Sequence, residues 1–509
     1  MPETQKKILT LEELTSKAEE LREEGKRIVL CHGTFDLLHI GHIRHLQNAH
    51  KQGDILITTV TGDQYVNKGP GRPVFPEHLR SENLAALACV DFVSINQALT
   101  AINVISIVKP HIYVKGQDYK KASDDVTGNI TREKNEVERH GGELIFTEDI
   151  TFSSSNLLNE NFGIFSPETK SFLQKIRKKH NDTEIIQLLK NLSGLKVAVV
   201  GDAIVDEYHY TTLLGQSGKG THPSVKYESQ ELFAGGALAV ANHLAGFVGS
   251  VTLVTGLGTG HNYEEFIRSK LNNNVTPNFY YFENAPTIVK RRFVDEDLNK
   301  LFEIYIYNEQ SSLNDNDHEI CSWIKSNAEN FDIVFVPDFG NGFISQNMVQ
   351  VLCEKARFLA VNTQVNSGNR GYHVINRYPR ADFVSLNGPE LRLATHNRHD
   401  PLEDLAEKVS DELGAKYFAV TRGSKGAILI DRKIKTIHSI PVLSTKVLDR
   451  VGAGDSFLSL AGLCLGAGLS SDIGLFVGSA AAALDVQIVC NRESVNPESL
   501  FKYISTLLK

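Results

Sequence analysis

The chain has 509 residues, 41% hydrophobic and 22% charged, with 53 Lys and Arg against 61 Asp and Glu and a formal net charge of −8. That length predicts two to four domains at about 100–200 residues each, the acidic balance excludes nucleic acid as the main partner, and the hydrophobic share excludes disorder and fibrous repeats. Cys31, Cys89, Cys321, Cys353, Cys464 and Cys490 lie far apart without a C-x-x-C pair, which argues against a disulfide framework or zinc site and for a reducing compartment. Apolar runs such as Gly474 to Leu484 are shorter than the roughly eighteen residues of a membrane span, so a soluble, cytoplasmic protein without membrane partners is expected.

The charged N-terminus through Arg27 predicts a short strand and an amphipathic helix. From Arg27 to about Phe152, β-branched runs alternate with helical periods: KRIVLCHGTFD, HIGHIRHLQNAHKQG, DILITTVTGD, then a helix around EHLRSENLAALACV. Such alternation predicts an α/β fold with a parallel sheet covered on both faces. Residues 161–193 turn polar, basic and helical in period, and are read as a linker between a domain over 1–160 and a second over 194–509. The second half opens on KVAVVGDAIVDEY and continues through SVTLVTG, DIVFVPD, FLAVNT, DFVSLN, YFAVTRG and AILID, a second α/β pattern.

In the first half, Leu30 to Ala49 reads LCHGTFDLLHIGHIRHLQNA: a strand, a Gly33-Thr34-Phe35 turn, then His39-Ile-Gly41-His42 opening a helix. His39 and His42 share a helix face where backbone amides and the dipole already favour anions. Two imidazoles there donate to nucleotide phosphates as charge builds on the α-phosphorus, while Gly41, Gly33 and Thr34 permit close approach. Lys68 and Arg72 sit on a Gly/Pro-rich loop able to close over triphosphate. Ser153, Ser154 and Ser155 are read as a helix cap offering donors to phosphate or base, and Asp118 as either a turn or a ligand.

This segment resembles the nucleotidyltransferase superfamily of cytidylyltransferases and adenylyltransferases. Lys68-Gly-Pro-Gly-Arg72-Pro, Pro76-Glu-His-Leu-Arg80, Leu84 to Asp91, Val114-Lys115-Gly116-Gln-Asp118-Tyr and Thr151-Phe-Ser-Ser-Ser155-Asn narrow the resemblance to heptose-1-phosphate adenylyltransferases over residues 27–160. The resemblance implies a Rossmann-like fold and in-line attack by a sugar phosphate, with pyrophosphate leaving and Mg2+ bridging the phosphates.

In the second half, Val447 onward reads VLDRVGAGDSFLSLAGLCLGAG. Gly452, Ala453 and Gly454 open a helix with amides free to hold a transferring phosphoryl group, and Asp455 on its first turn suits a general base. With Gly201-Asp202, Asp206, Gly235-Gly236, Asn387-Gly388-Pro389-Glu390 and Thr421-Arg-Gly423-Ser-Lys-Gly426, the order resembles the ribokinase and phosphofructokinase-B family over 195–509. The resemblance implies a ribokinase-like α/β domain with a small β lid and Asp455 as base. Asn387 to Glu390 would organise ATP and its Mg2+, Thr421 to Gly426 would flank the nucleotide, Asp202 and Asp206 would hold sugar hydroxyls, and Asp449 would bind a cation or orient its loop. Gly215 to His222 lacks the Lys-Ser/Thr of a P-loop and is read as part of the lid. Gly256 to Gly260 lacks dinucleotide-fingerprint spacing and is read as a strand-to-helix turn.

Together the halves resemble the bifunctional enzymes that make ADP-heptose for bacterial surface polysaccharide, in reversed domain order. The resemblance implies ATP and sugar phosphates as ligands, a homo-oligomer, commonly a dimer, and a pathway phosphatase for which the chain shows no binding motif. Ala239 stands where that kinase family carries a sugar-binding asparagine, with Asn242 as the candidate substitute, and the stretch from Leu214 to Val225 lacks the family's Ser-Pro-Glu-Ala-Pro run. Two alternatives stay open: a CDP-linked polyol or modified sugar as product, and a kinase half kept only as a binding or dimerisation module.

Overall fold

The computed structural model describes residues 3–66, 72–116, 129–147, 165–260, 262–308, 314–369, 371–444 and 446–508. The chain divides into two compact units, Met1–Ser166 with Phe501–Lys509, and Pro167–Leu500. Among the described residues no helix is long and apolar enough to cross a membrane.

In the first unit, β1 (Ile28–Gly33), β2 (Ile55–Thr61), β3 (Phe92–Asn96), β4 (Ile112–Gly116) and β5 (Glu143–Thr147) form one sheet in the order β3-β2-β1-β4-β5. Every pairing is parallel. Because strand side chains alternate in direction, Val29 and Cys31 enter one hydrophobic cluster and Ile28 and Leu30 another, so the sheet is covered on both faces. The order reverses between β1 and β4, which opens a crevice at their carboxyl ends, the place where open α/β sheets bind ligands. Helix Ile40–His50 begins beside that crevice, after the β1 turn. Helix Glu77–Ala85 is shorter than the run EHLRSENLAALACV read from the sequence; a turn follows before β3.

The second unit begins with helices Pro167–Lys179 and Asp182–Lys190. Its strands are β6 (Lys196–Val200), β7 (Ala203–Gln216), β8 (Pro223–Gly236), β9 (Ser250–Gly258), β10 (Val275–Phe282), β11 (Ile288–Val294), β12 (Lys300–Ile306), β13 (Ile333–Asp338), β14 (Leu359–Thr363), β15 (Phe383–Asn387), β16 (Tyr417–Thr421), β17 (Ala427–Asp431) and β18 (Thr436–Ile440). A nine-stranded sheet runs β10-β9-β6-β13-β14-β15-β16-β17-β18, and β12-β11-β7-β8 form a separate four-stranded sheet. The large sheet is parallel through β16 and antiparallel beyond it.

The small sheet has two chemically distinct faces. Register places Asp206 and Tyr208 of β7 beside Lys290 and Arg292 of β11, with Tyr305 and Glu303 of β12 opposite. The other face carries His209, Phe293 and Phe302, stacked with ring centroids 4.7 and 4.4 Å apart. The Gly215–His222 run spans the end of β7 and the β7–β8 turn, where Gly215 has φ +118°.

Candidate active sites

The first site forms at the β1/β4 crevice. His39 caps helix Ile40–His50 from an extended conformation, its Nδ1 accepting the Gly41 N–H at 3.1 Å. That bond leaves Nε2 to carry the single proton of the neutral ring, and burial holds the His39 pKa below its usual value. The neutral ring therefore presents an Nε2–H donor at a helix N-terminus. His42 stacks on His39 with centroids 4.0 Å apart and meets Phe35 edge-on at 5.6 Å. Phe35 itself turns the chain with φ +48°, and its ring lies where a Cβ on Gly33 would come within 3.1 Å.

A buried guanidinium builds the turn beneath these groups. Arg80, fully buried, donates to the Thr34 carbonyl (2.5 Å), the Thr61 carbonyl (2.8 Å), the Phe75 carbonyl (2.9 Å) and the Asp63 carboxylate (2.5 Å). Asp36 accepts the Val74 and Phe75 N–H groups at 2.7 and 3.0 Å, fixing the chain that follows Arg72. Burial lowers the Arg72 pKa, opposed by the Asp36 charge. Lys115 and Gly116 end β4, so the fold brings them to the same crevice. The Lys115 ammonium pairs with buried Glu133 at 3.1 Å, and Glu133 also accepts from the Tyr113 hydroxyl at 2.9 Å. Burial would raise the Glu133 pKa, but Lys115 and His32 outweigh it and hold the group ionised. Lys68, Asp118, Ser153, Ser154 and Ser155 lie outside the described residues.

The second site lies at the carboxyl ends of the large sheet. Asp455 is the third residue of helix Ala453–Gly466, after Gly452, Ala453 and Gly454. Gly452 adopts φ +100°, and a Cβ there would sit 2.5 Å from Asn491 Oδ1 and 2.6 Å from Asp485 Oδ2, so only glycine fits. Burial, with Asp206 and Glu390 adding repulsion against Lys290, pushes the Asp455 pKa up to about 7. A carboxylate poised near neutrality can accept a hydroxyl proton at physiological pH.

Asn387-Gly388-Pro389-Glu390 is a capping box: Asn387 Oδ1 accepts the Glu390 N–H at 2.9 Å and Glu390 Oε2 accepts the Asn387 N–H at 2.8 Å. Burial raises the Glu390 pKa to about 7. Both its oxygens take backbone N–H groups, Oε1 from Val365 at 3.3 Å, so it suits a cation held through water better than a direct bond. Among the described residues no cluster of three or more His, Cys, Asp or Glu forms a metal cage. Thr421 pairs in register with Asn387, placing Gly423 and Gly426, both at positive φ, on the same side.

On the other side of Asp455, Asp202 accepts the Phe339 and Phe343 N–H groups at 3.1 and 3.3 Å, and burial beside Asp338 raises its pKa to about 6. Asp206 pairs with Arg292, and a Cβ on Gly235 would overlap its carboxylate. A Cβ on Gly236 would come 2.5 Å from the Asp202 carbonyl, so these glycines let β8 approach both aspartates.

Asn242 is not part of this site. Its amide donates to the Lys270 carbonyl and accepts the Asn272 N–H, both at 2.9 Å, just before β10 begins and so toward the amino ends of the strands. The expected replacement for the asparagine missing at 239 is thus corrected: three residues carry Asn242 about 4.5 Å further along the helix, away from the strand ends. Asp449 accepts the Tyr208 hydroxyl at 2.6 Å, several backbone N–H groups and Lys300 at 3.4 Å, so it orients its loop.

Residues outside the predicted set complete the site. Lys290 is buried, its pKa lowered by burial against the opposing charges of Asp206, Asp202 and Asp455. Asp338 receives His373, Arg377 and Tyr378, each at 2.7 Å, and these partners outweigh burial to keep it ionised. The period-two spacing of Lys290 and Arg292 in IVKRRFV was the available signal; His373 and Arg377 gave none.

A buried carboxylate behind a Gly-Ala-Gly helix start, near further carboxylates and a lysine, has the make-up of a phosphoryl-transfer site, and the histidine pair at the β1/β4 crevice that of an anion-binding one. Residues 195–495 match the pfkB family carbohydrate kinase model, more than half of the chain, and residues 30–160 match the Cytidylyltransferase-like model. The chain belongs to the pfkB carbohydrate kinase family, with a cytidylyltransferase-like domain before it.

Two curated relatives, both described as "Bifunctional protein HldE", match locally: that of Desulfatibacillum aliphaticivorans is 40% identical over 153 residues, 30% of each chain, and that of Nitratiruptor sp. is 42% identical over 132 residues, 26% of this chain and 28% of that one. The matched stretch is thus under a third of either relative. Phosphofructokinase-2 from Escherichia coli, solved in complex with fructose-6-phosphate, shares the fold with a TM-score of 0.50 at 16% identity, over 62% of this chain and 100% of that one.

Proposed function

We propose that the chain is a bifunctional enzyme of nucleotide-sugar synthesis: its kinase unit phosphorylates a sugar from ATP, and its first unit transfers a nucleotidyl group to a sugar 1-phosphate, by default heptose 1-phosphate giving ADP-heptose. The observation that carries the reading is the pairing, in one chain, of the Asp455 base with the His39–His42 donor pair.

In the kinase unit, Asp455 takes the proton of the acceptor hydroxyl and the freed oxygen attacks the γ-phosphorus. The helix N-terminus at Gly452 to Gly454 holds the transferring charge, and Lys290 steadies the carboxylates around it. Mg2+, held through water by Glu390, would neutralise the ATP phosphates. In the first unit, a sugar-phosphate oxygen attacks the α-phosphorus in line and pyrophosphate leaves. The neutral His39 donates from Nε2, with His42 beside it; no side-chain nucleophile is needed.

The outward face of the small sheet supports a homodimer, with Leu213, Tyr227, Phe302 and Ile304 between 40% and 54% exposed. Six free cysteines fit a reducing cytoplasm. The test is pyrophosphate release from ATP or CTP with a panel of sugar 1-phosphates. Release with ATP and heptose 1-phosphate, lost in His42→Ala, supports the reading; preference for CTP or another sugar phosphate replaces its product.

A further inference from the structure

The kinase site has a nucleotide half, at the carboxyl ends of β15 and β16, and an acceptor half, at the carboxyl ends of β6 and β13. Strand β14 pairs with both β13 and β15, so the chain that leaves it runs between the two halves. That chain, residues 364–378, belongs to none of the motifs read from the sequence, yet it is bonded to both sides.

On the nucleotide side the Val365 N–H donates to Glu390 Oε1 at 3.3 Å, the carboxylate whose other oxygen closes the Asn387 capping box. On the acceptor side the next residue, Asn366, donates from Nδ2 to the Phe339 carbonyl at 2.7 Å, with Asn369 Nδ2 as a second donor at 3.2 Å. Phe339 donates its own N–H to Asp202 at 3.1 Å. Three hydrogen bonds and short stretches of covalent chain therefore join the Glu390 carboxylate to the Asp202 carboxylate.

The same segment grips the chain on either side of the two N–H groups that hold Asp202. The Gln364 N–H donates to the Asp338 carbonyl at 2.9 Å, just before Phe339, and Arg377 Nη2 donates to the Ile344 carbonyl at 2.9 Å, just after Phe343. His373 and Arg377 close on the Asp338 carboxylate, both at 2.7 Å. Gly340, at φ +65°, permits the close approach: a Cβ there would lie 2.6 Å from Asn369 Nδ2 and 2.7 Å from His373 Cγ. Asn366 Oδ1 also accepts the Gly368 and Asn369 N–H groups at 2.9 and 3.0 Å, and Asn369 Nδ2 donates to the Gln364 carbonyl at 2.7 Å, which ties the segment into one compact turn.

We propose that residues 364–378 couple the two halves of the kinase site, so that nucleotide and acceptor each raise the other's affinity, with Asn366 as the positioning residue through which the coupling passes. The inference rests on the kinase reading above, in which Glu390 serves the nucleotide and Asp202 the acceptor. A nucleotide seated against Glu390 fixes the Val365 peptide. Asn366 then holds Phe339, and the N–H groups that orient Asp202 are in place before the acceptor arrives. The segment is ordered once for both ligands, and by linkage the gain is the same in either direction. An acceptor therefore binds weakly until nucleotide is present.

The test uses the full chain and four sugars: D-glycero-D-manno-heptose, its 7-phosphate, mannose and mannose 6-phosphate. The one giving the fastest ADP formation from ATP is carried into isothermal titration with and without saturating ADP and Mg2+, a mixture that cannot turn over. The parent should bind that sugar at least about fivefold more tightly when ADP is present. Asn366→Ser keeps a hydroxyl to accept the Gly368 N–H but is too short to reach the Phe339 carbonyl. It should bring the ratio to within about twofold of one while changing the Kd for the sugar alone by less than about threefold. A merely structural role would weaken both titrations alike and leave the ratio unchanged. Asn369→Ser, which removes the longer donor, is the second variant, with partial loss of the ratio expected, and Trp323 fluorescence reports whether each variant folds. With ADP formation present in the parent and lost in Asp455→Asn, a parent ratio below about twofold, or a ratio kept by the folded variants, overturns the inference and leaves the kinase reading standing. No ADP formation with any of the four sugars overturns both.

Discussion

Replacing Asp455 by asparagine should abolish sugar-dependent ADP formation and at the same time stabilise the kinase unit. The folded-state pKa is about 7, against about 3.9 for an unfolded aspartate. Between those values the native chain holds a proton that the unfolded chain has released, so stability falls as pH rises through this window and levels off above the folded pKa. The penalty is about 1.5 kcal/mol at pH 5 and about 4 kcal/mol at pH 8. Asparagine does not titrate, so the advantage of the variant should grow by about 2–3 kcal/mol from pH 5 to pH 8. The only tryptophan, Trp323, packs against the core of this unit, so urea unfolding followed by its fluorescence reports the relevant transition. Kinase turnover should fall by about 10²–10⁴-fold, and the parent rate should rise with pH through a midpoint near 7. A stability difference that does not change between the two pH values, or that shrinks at pH 8, would refute the reasoning.

Other substitutions separate structure from chemistry. His39→Asn keeps an acceptor for the Gly41 N–H but loses the Nε2 donor; pyrophosphate release should drop about 10²-fold while thermal stability stays within about 0.5 kcal/mol. Arg80→Lys strips the buried turn of its fork and should cost the first unit about 3–5 kcal/mol, seen as faster amide exchange in β1 and β2, with transferase activity lost. Gly452→Ala forces a Cβ against Asn491 and Asp485 at positive φ; a loss of about 2–4 kcal/mol at Trp323 and a kinase rate reduced at least about tenfold are expected. If the proposed homodimer forms through the outward face of the small sheet, Phe302→Glu should shift the chain to monomer in sedimentation.

Much of both sites was readable because it is local. A strand, a turn and a helix start lie within twenty residues, and the helix N-terminus fixes where His39, His42 or Gly452 to Asp455 must point. The Asn387 to Glu390 motif was legible for the same reason, although its capping-box character emerged only with the hydrogen bonds. What was not legible depends on register between distant strands. Lys290 reads as one more charge in a basic run, and only pairing of β11 with β7 sets it beside Asp206. Asp338, His373 and Arg377 meet because the segment after β14 returns over β13, which no periodicity reports. Asn242 illustrates the opposite error: a suitable residue type near the right position, one helical turn too far from the strand ends.

The central claim, two independent active sites in one chain, is tested by ³¹P NMR of the purified protein with ATP, an acceptor sugar for the kinase unit and heptose 1-phosphate. The account predicts both ADP and pyrophosphate, with Asp455→Asn losing only the ADP and His42→Ala only the pyrophosphate. Loss of both products in either variant, or formation of neither by the parent, would contradict it.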